Sequence, residues 1–236
     1  DRRIKLISQK KREGKASAVN MFIKEARNDV LVLLGGDLLL TEHVIQKLVG
    51  NFFDSEMGMT GAHPVPVNNI NDGFCSFAGH LLWDLHHRIS LRNPKMGELV
   101  AFRKIFKRIP KTGADEASIE PLIRGQGYKI QYVPDAIIHN KAPATITDFI
   151  QQRRRNYWLH LVVKYEQSYI VSTLNIFAIL QALYSFIKEN RGIKHIFFIP
   201  MVALLEAYSR FLGWWDYKIT QKKHTVWESI ETTKSL

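Results

Sequence analysis

The chain has 236 residues, 46% of them hydrophobic and 23% charged, which suits one folded α/β domain with an appendage and excludes a low-complexity or fibrous protein. Its single cysteine, Cys75, excludes an intramolecular disulfide and any paired-cysteine metal motif. A net charge of +11 and a pI near 9.7 call for an anionic partner: a nucleotide, a nucleic acid or an anionic membrane face.

Asp1-Arg2-Arg3 opens the chain without an initiator Met or signal peptide, so we expect the protein's first strand to lie outside this sequence. Residues 4–7 alternate as a strand would, and 8–14 (SQKKREG) form a basic loop. Residues 15–26 place Ala16, Val19, Phe22, Ile23 and Ala26 on one helical face. The apolar run 30–34 reads as a strand buried on both sides, ending at Gly35-Gly36-Asp37. Thr41 is the expected N-cap of a helix through Phe52, and 57–63 is a further strand. This alternation predicts a doubly wound α/β sheet. Ligands of such sheets sit at the carboxyl ends of the strands, where Asp37 falls.

Residues 74–90 read as a helix, and 97–103 as a short strand. On that helix His80, Asp84 and His87 share a face at a spacing seen in zinc sites. Trp83, with His86 or His87, alternatively lines a pocket near Gly97-Glu98 or simply packs. The stretch 112–158 carries most of the polar signal. The acidic pair Asp115-Glu116 opens a helix that ends at Gly127; a strand over 128–133 closes at Pro134-Asp135; a long helix over 146–165 holds Arg153-Arg154-Arg155. A carboxylate at a helix N-terminus is favoured by the dipole, as a general base requires. Aromatics do not interleave with these arginines as stacking platforms would, so no nucleic-acid partner is expected.

The character changes after 165. Residues 169–187 carry no charge and approach the roughly 20 residues needed to cross a bilayer. A basic link follows, and then the shorter apolar run 196–205, interrupted beyond it by Glu206 and Arg210. The two runs are expected to form a helical hairpin in or on a membrane, or else two core helices. Trp214, Trp215 and Tyr217 suit an interface, and Lys218, Lys222 and Lys223 suit an anionic cytoplasmic face.

Four ordered segments carry a family resemblance: Arg12 to Asn20; Gly35-Gly36-Asp37; Asp115-Glu116 with Gly127-Tyr128-Lys129 and Pro134-Asp135-Ala136; and Gln152 to Asn156. Together they resemble family 2 glycosyltransferases of the GT-A fold, of the membrane-associated kind with C-terminal helices. The resemblance implies a GT-A mixed sheet over 1–165 and a membrane-associated helical region over 166–236. It implies inverting transfer from a nucleotide-sugar, for instance a UDP-sugar, to a lipid-linked or polysaccharide acceptor on the cytoplasmic side of a membrane. Arg12, Lys15, Gln152 and Arg155 would bind the donor diphosphate; Asp37, helped by His139, would hold Mg2+ or Mn2+; Asp115 or Glu116 would be the base. Trp83, His87, Glu98 and Trp158 would form the acceptor side. The chain departs from the family pattern in having Gly35 in place of the first Asp of Asp-x-Asp, Asp-Glu in place of Glu-Asp, and Asn156 in place of Trp.

Overall fold

The computed structural model describes residues 3–110, 115–190, 192–226 and 230–233; the side chains of Asp115, Ile193 and Glu231 fall outside the described set. Its framework is a five-stranded mixed sheet of β1 (Val30–Leu34), β2 (Leu39–Leu40), β3 (Met57–Pro66), β4 (Leu99–Arg103) and β5 (Lys129–Asn140), in the order β1-β4-β3-β5-β2. Only β3 and β5 run parallel; β1 pairs with β4, β4 with β3, and β2 with β5, all antiparallel.

Alternation along β4 shows how the sheet is covered. Val100 and Phe102 point into a core formed with α1 (Lys15–Glu25) and α4 (Asp115–Arg124). Leu99 and Ala101 point the other way, against Val44, Leu48 and Phe52 of α2 (Val44–Val49) and the 3-10 turn Gly50–Phe53. Successive strand residues face opposite sides, so one strand serves two cores. A third apolar cluster joins α3 (Phe74–Ser90), through Phe77, Leu81, Leu85 and Ile89, to Phe149 of α5 (Ile146–Glu166), to Ala182 and Phe186 of α6 (Ile176–Glu189) and to Val202 of α7 (Ile193–Trp215).

Several local expectations change. Residues 4–7 form no strand: Ile4 and Leu6 are exposed and pair with nothing in the sheet. Thr41 does not cap a helix; its hydroxyl donates to the Ile137 carbonyl, and α2 begins three residues later, after His43 in a left-handed conformation. Pro134-Asp135 do not end β5. The pairing steps from Gly61↔Tyr132 to His63↔Ile137, so these residues sit in a bulge and the strand resumes to Asn140.

The C-terminal helices also differ from the pattern read in the sequence. The stretch 169–187 is not one helix: a 3-10 turn, Ser172–Leu174, precedes α6, and the Asn175 side chain caps α6 by accepting from the Phe177 and Ala178 amides. The remaining 14 residues rise about 21 Å, short of a hydrocarbon core of about 30 Å. The second run is the longer one. Lys194–Thr220 is the one helical stretch among the described residues that is long and apolar enough to cross a membrane by length and composition, with a mean hydropathy of 1.5 in its best window. Glu206 and Arg210 do not interrupt it, because they turn inward: Glu206 takes a bidentate pair from Arg153 of α5 (2.7 and 2.8 Å) and a further bond from Arg210.

Beyond α7 the chain makes a π turn, Asp216–Thr220. Asp216 is fully buried and is held by both Arg154 and His224. Backbone contact between the helices is close here: a Cβ on Gly213 would stand 2.5 Å from the Arg154 carbonyl oxygen. Removing a buried carboxylate strands its cation. Asp216→Ala should therefore cost about 2 kcal/mol, at or below the low end for a buried pair because Arg154 retains some solvent. Chemical denaturation of the full chain in detergent checks this; an unchanged midpoint would contradict it.

Candidate functional site

A cavity of about 440 Å3 opens where the carboxyl end of β1, the N-termini of α1 and α4, and helices α3, α5 and α7 converge. Arg12, Lys15, Asp37 and Glu116 line it, as do Trp83, Glu98, Gln152 and Arg155. Three expected residues stand elsewhere. Trp158 is buried in a cluster with Tyr217 and His224. His139 turns to the neighbouring strand, its Nδ1 lying 3.3 Å from the Val65 carbonyl. His87 faces a second cavity of about 460 Å3, stacked on His63 at 4.1 Å and hydrogen-bonded to the Tyr132 hydroxyl. The side chain of Asp115 lies outside the described residues.

The basic side of the cavity is built on tight backbone. Gly14 precedes α1 with φ +90°, and a Cβ there would stand 2.3 Å from the Thr225 carbonyl oxygen, so this position requires glycine. The Ser17 hydroxyl donates to Glu13 at 2.8 Å, fixing the first turn. Lys15 reaches across to Glu116, Nζ to Oε1 3.1 Å, and so ties the start of α1 to the acidic start of α4, 101 residues away in sequence.

The carboxylates come from three elements. Gly35 donates its amide to the Glu98 carbonyl, which brings the Asp37 turn beside Glu98. Glu98 itself has φ 63°, a left-handed conformation that a side chain seldom adopts and that marks stored strain. Burial raises its carboxyl to about 7, and the nearby charges of Glu116 and Asp37 add to this against Lys15 and Lys95. Below it lies Glu120, one helical turn after Glu116 on α4. Glu120 is fully buried, accepting from the Met96 amide (2.6 Å) and the Tyr169 hydroxyl (3.1 Å), and so holds the 95–98 loop that presents Glu98.

The arginine run divides its labour. Arg153 and Arg154 bind the acids of α7 and its π turn, while Arg155 lines the cavity beside Gln152. Arg153 lines it too, through its paired side. Sequence reading missed Lys95, Glu120 and His160; the first and last line the cavity. The signal for Glu120 was its spacing of four from Glu116. The zinc spacing on α3 does not assemble: His80 contacts the Asn68 carbonyl, Asp84 pairs with Arg88, and no group of three or more ligating side chains gathers among the described residues.

Glu120 offers a direct test of this architecture. Burial raises its carboxyl to about 7. A raised group adds stability that is complete below its unfolded value and is lost as pH climbs through the folded one. Wild type should thus lose stability relative to Glu120→Gln between pH 5 and pH 8, at up to about 1.4 kcal/mol per pH unit. Parallel denaturation curves at those pH values decide it; a pH-independent difference would refute the buried-acid reading.

Comparison with known proteins agrees with this architecture. Residues 1–93 match glycosyl transferase family 2. No curated protein sequence matches the chain. Among solved structures, a mannosyltransferase from Pyrobaculum calidifontis, in complex with GDP-Man and Mn2+, superposes with a TM-score of 0.52 at 16% identity. The match covers 89% of this chain and 66% of that one, so the chain spans just under two thirds of its neighbour's length. The curled mixed sheet with its flanking helices is a GT-A-like fold, and its first 93 residues carry the sequence signature of glycosyl transferase family 2.

Proposed function

We propose that this protein is an inverting glycosyltransferase that moves a sugar from a nucleotide-sugar to a lipid-linked or polysaccharide acceptor at a membrane. The observation that carries the reading is the convergence in one cavity of Arg12, Lys15, Asp37, Glu116, Gln152 and Arg155, drawn from four separate stretches of sequence. Arg155 takes the donor diphosphate with its planar fork, aided by Arg12 and Lys15. Asp115 or Glu116 removes the proton from the acceptor hydroxyl as that oxygen attacks the anomeric carbon. Lys15 orients the Glu116 carboxylate for that role.

A divalent ion fits the donor side with a lean ligand set. The Asp37 Oδ1 lies 3.1 Å from where a Cβ on Gly35 would stand, so this one carboxylate occupies ground that a second acid would contest. Magnesium-type ions are commonly held by one or two carboxylates with substrate phosphates and water, which suits Asp37 acting alone. When bound, such an ion neutralises charge on the leaving diphosphate. The structural neighbour's GDP-Man and Mn2+ make that pair, with UDP-sugars and Mg2+, the first to assay.

The region 166–236 serves as the membrane attachment in this reading, with the 1–165 portion catalytic. Phe197, Met201, Leu204, Tyr208, Phe211 and Trp215 recur every three or four residues along α7, all exposed. Ile176, Leu180, Tyr184 and Ile187 continue the apolar surface on α6. Lys218, Lys222 and Lys223 at the C-terminal end of the α7 stretch suit an anionic cytoplasmic face.

Two measurements test these assignments. Arg155→Ala and Glu116→Gln in the full chain should each slow nucleotide-sugar turnover by about 10²-fold or more, and a chelator should lower the rate until Mg2+ or Mn2+ is restored. Unchanged rates in both variants would overturn the site. Separately, Leu204→Lys with Phe211→Lys should abolish co-flotation with anionic vesicles while leaving the melting profile intact; retained flotation would remove these faces from the membrane contact.

A further inference from the structure

Two basic segments far apart in the chain meet at one edge of the main cavity. Residues 8–15 carry Lys10, Lys11, Arg12 and Lys15 against the single acid Glu13. Residues 217–226 carry Lys218, Lys222 and Lys223 and no acid. The segments touch at Gly14, where a Cβ would stand 2.3 Å from the Thr225 carbonyl oxygen. Lys10 and Lys11 lie within four residues of Gly14, and Lys222 and Lys223 within three of Thr225, which is at most about 14 Å of chain on either side. All four lysines are exposed.

Both segments are held in shape. The Gln9 side-chain amide donates to the Gly14 carbonyl (3.4 Å) and folds the basic loop back on itself. The Lys222 amide donates to the Asp216 carbonyl (3.0 Å), and the His224 ring meets the Asp216 carboxylate at 2.7 Å. Farther on, the Thr232 hydroxyl donates to Asp148 of α5 at 2.7 Å, so the chain after the π turn lies against the body of the protein. Beside this basic edge the exposed side chains become apolar: Trp214, Trp215, Ile219 and Val226.

We propose that residues 8–14 and 218–226 form one composite basic surface that seats this edge of the cavity on the anionic headgroups of a bilayer. The inference rests on the membrane attachment proposed above and adds a second contact to it, outside the C-terminal helices. Each lysine gains when it comes within a Debye length of anionic lipid. The aromatic and aliphatic side chains alongside reach the boundary between headgroups and acyl chains. A nucleic acid would meet the lysines but leave those apolar side chains in water. Contact at both segments also fixes how the molecule stands: the end of α7 that carries Trp214 and Trp215 and the cavity edge at Arg12 share one headgroup plane.

The test is co-flotation of the full chain, diluted from detergent, with vesicles of phosphatidylcholine alone or with about one third phosphatidylserine. Wild type should prefer the anionic vesicles, and added salt should remove that preference while binding to the neutral ones remains. Lys10→Gln with Lys11→Gln should weaken binding to anionic vesicles by about tenfold or more, and Lys222→Gln with Lys223→Gln by a similar factor. Neither pair should alter flotation with neutral vesicles or the melting profile, since all four side chains are exposed. An unchanged anionic preference in the Lys10→Gln, Lys11→Gln variant would overturn the composite surface. Release of wild type from anionic vesicles by an equimolar single-stranded oligonucleotide would overturn it too, in favour of a nucleic-acid partner. Failure of wild type to float with either vesicle would instead overturn the membrane attachment itself.

Discussion

The paired arginines of α5 and the acids of α7 and the turn after it set the terms for everything else in this molecule. Arg153 with Glu206 and Arg154 with Asp216 join a helix that starts beside the sheet to one whose outer face is oily. Charges in such surroundings are costly to leave alone, so each ion pair is far more damaging to break than it is profitable to form. The consequence is fixed geometry. With α7 pinned at Glu206 and the turn after it at Asp216, the phase of α5 that turns Arg155 toward the cavity is fixed, and aliphatic side chains of α6 and α7 complete the cavity lining.

Within that frame the cavity is a gradient of chemistry. Cationic side chains and an aspartate stand at the end of β1; carboxylates follow at the helix start and the left-handed Glu98; imidazoles and aliphatic side chains of α3, α5, α6 and α7 complete the lining. The strain at Glu98 is held by neighbours on both sides, the Gly35 amide above and Glu120 through Met96 below. Local distortion that persists only because its surroundings over-determine it is a common mark of a working site.

The strands and helices, and the residues that converge on the cavity, were legible in the sequence because both rest on local signals. The apolar run 30–34, the helix 74–90 and the long helix from 146 stand where periodicity put them. Arg12, Lys15, Asp37, Glu116, Gln152 and Arg155 were legible because each sits in a short ordered motif. Other features hung on facts that no local pattern encodes. His86 and His87 differ by about 100° of helical phase, and that rotation alone sends one into the main cavity and the other to the second. Trp158 faces Tyr217 for the same reason. Lys95 sits in an irregular loop whose position is set by Glu120, and Glu206 looked like a break in an apolar run until Arg153 stood opposite it. The lengths of the two C-terminal helices reversed because an asparagine cap and a 3-10 turn, both short-range polar events, outweighed a long uncharged stretch.

The contact between Gly14 and Thr225 has a temporal side. Gly14, the last residue of the basic loop before α1, packs against a carbonyl that follows α7. Sheet, α3 and α5 can assemble during synthesis, but the loop before α1 acquires its final neighbour only after α7 has been made and has turned back. Pairings between such distant parts of a chain form late and slowly. A nascent chain would thus hold its sheet and its charges well before the loop that borders the cavity acquires its last contact.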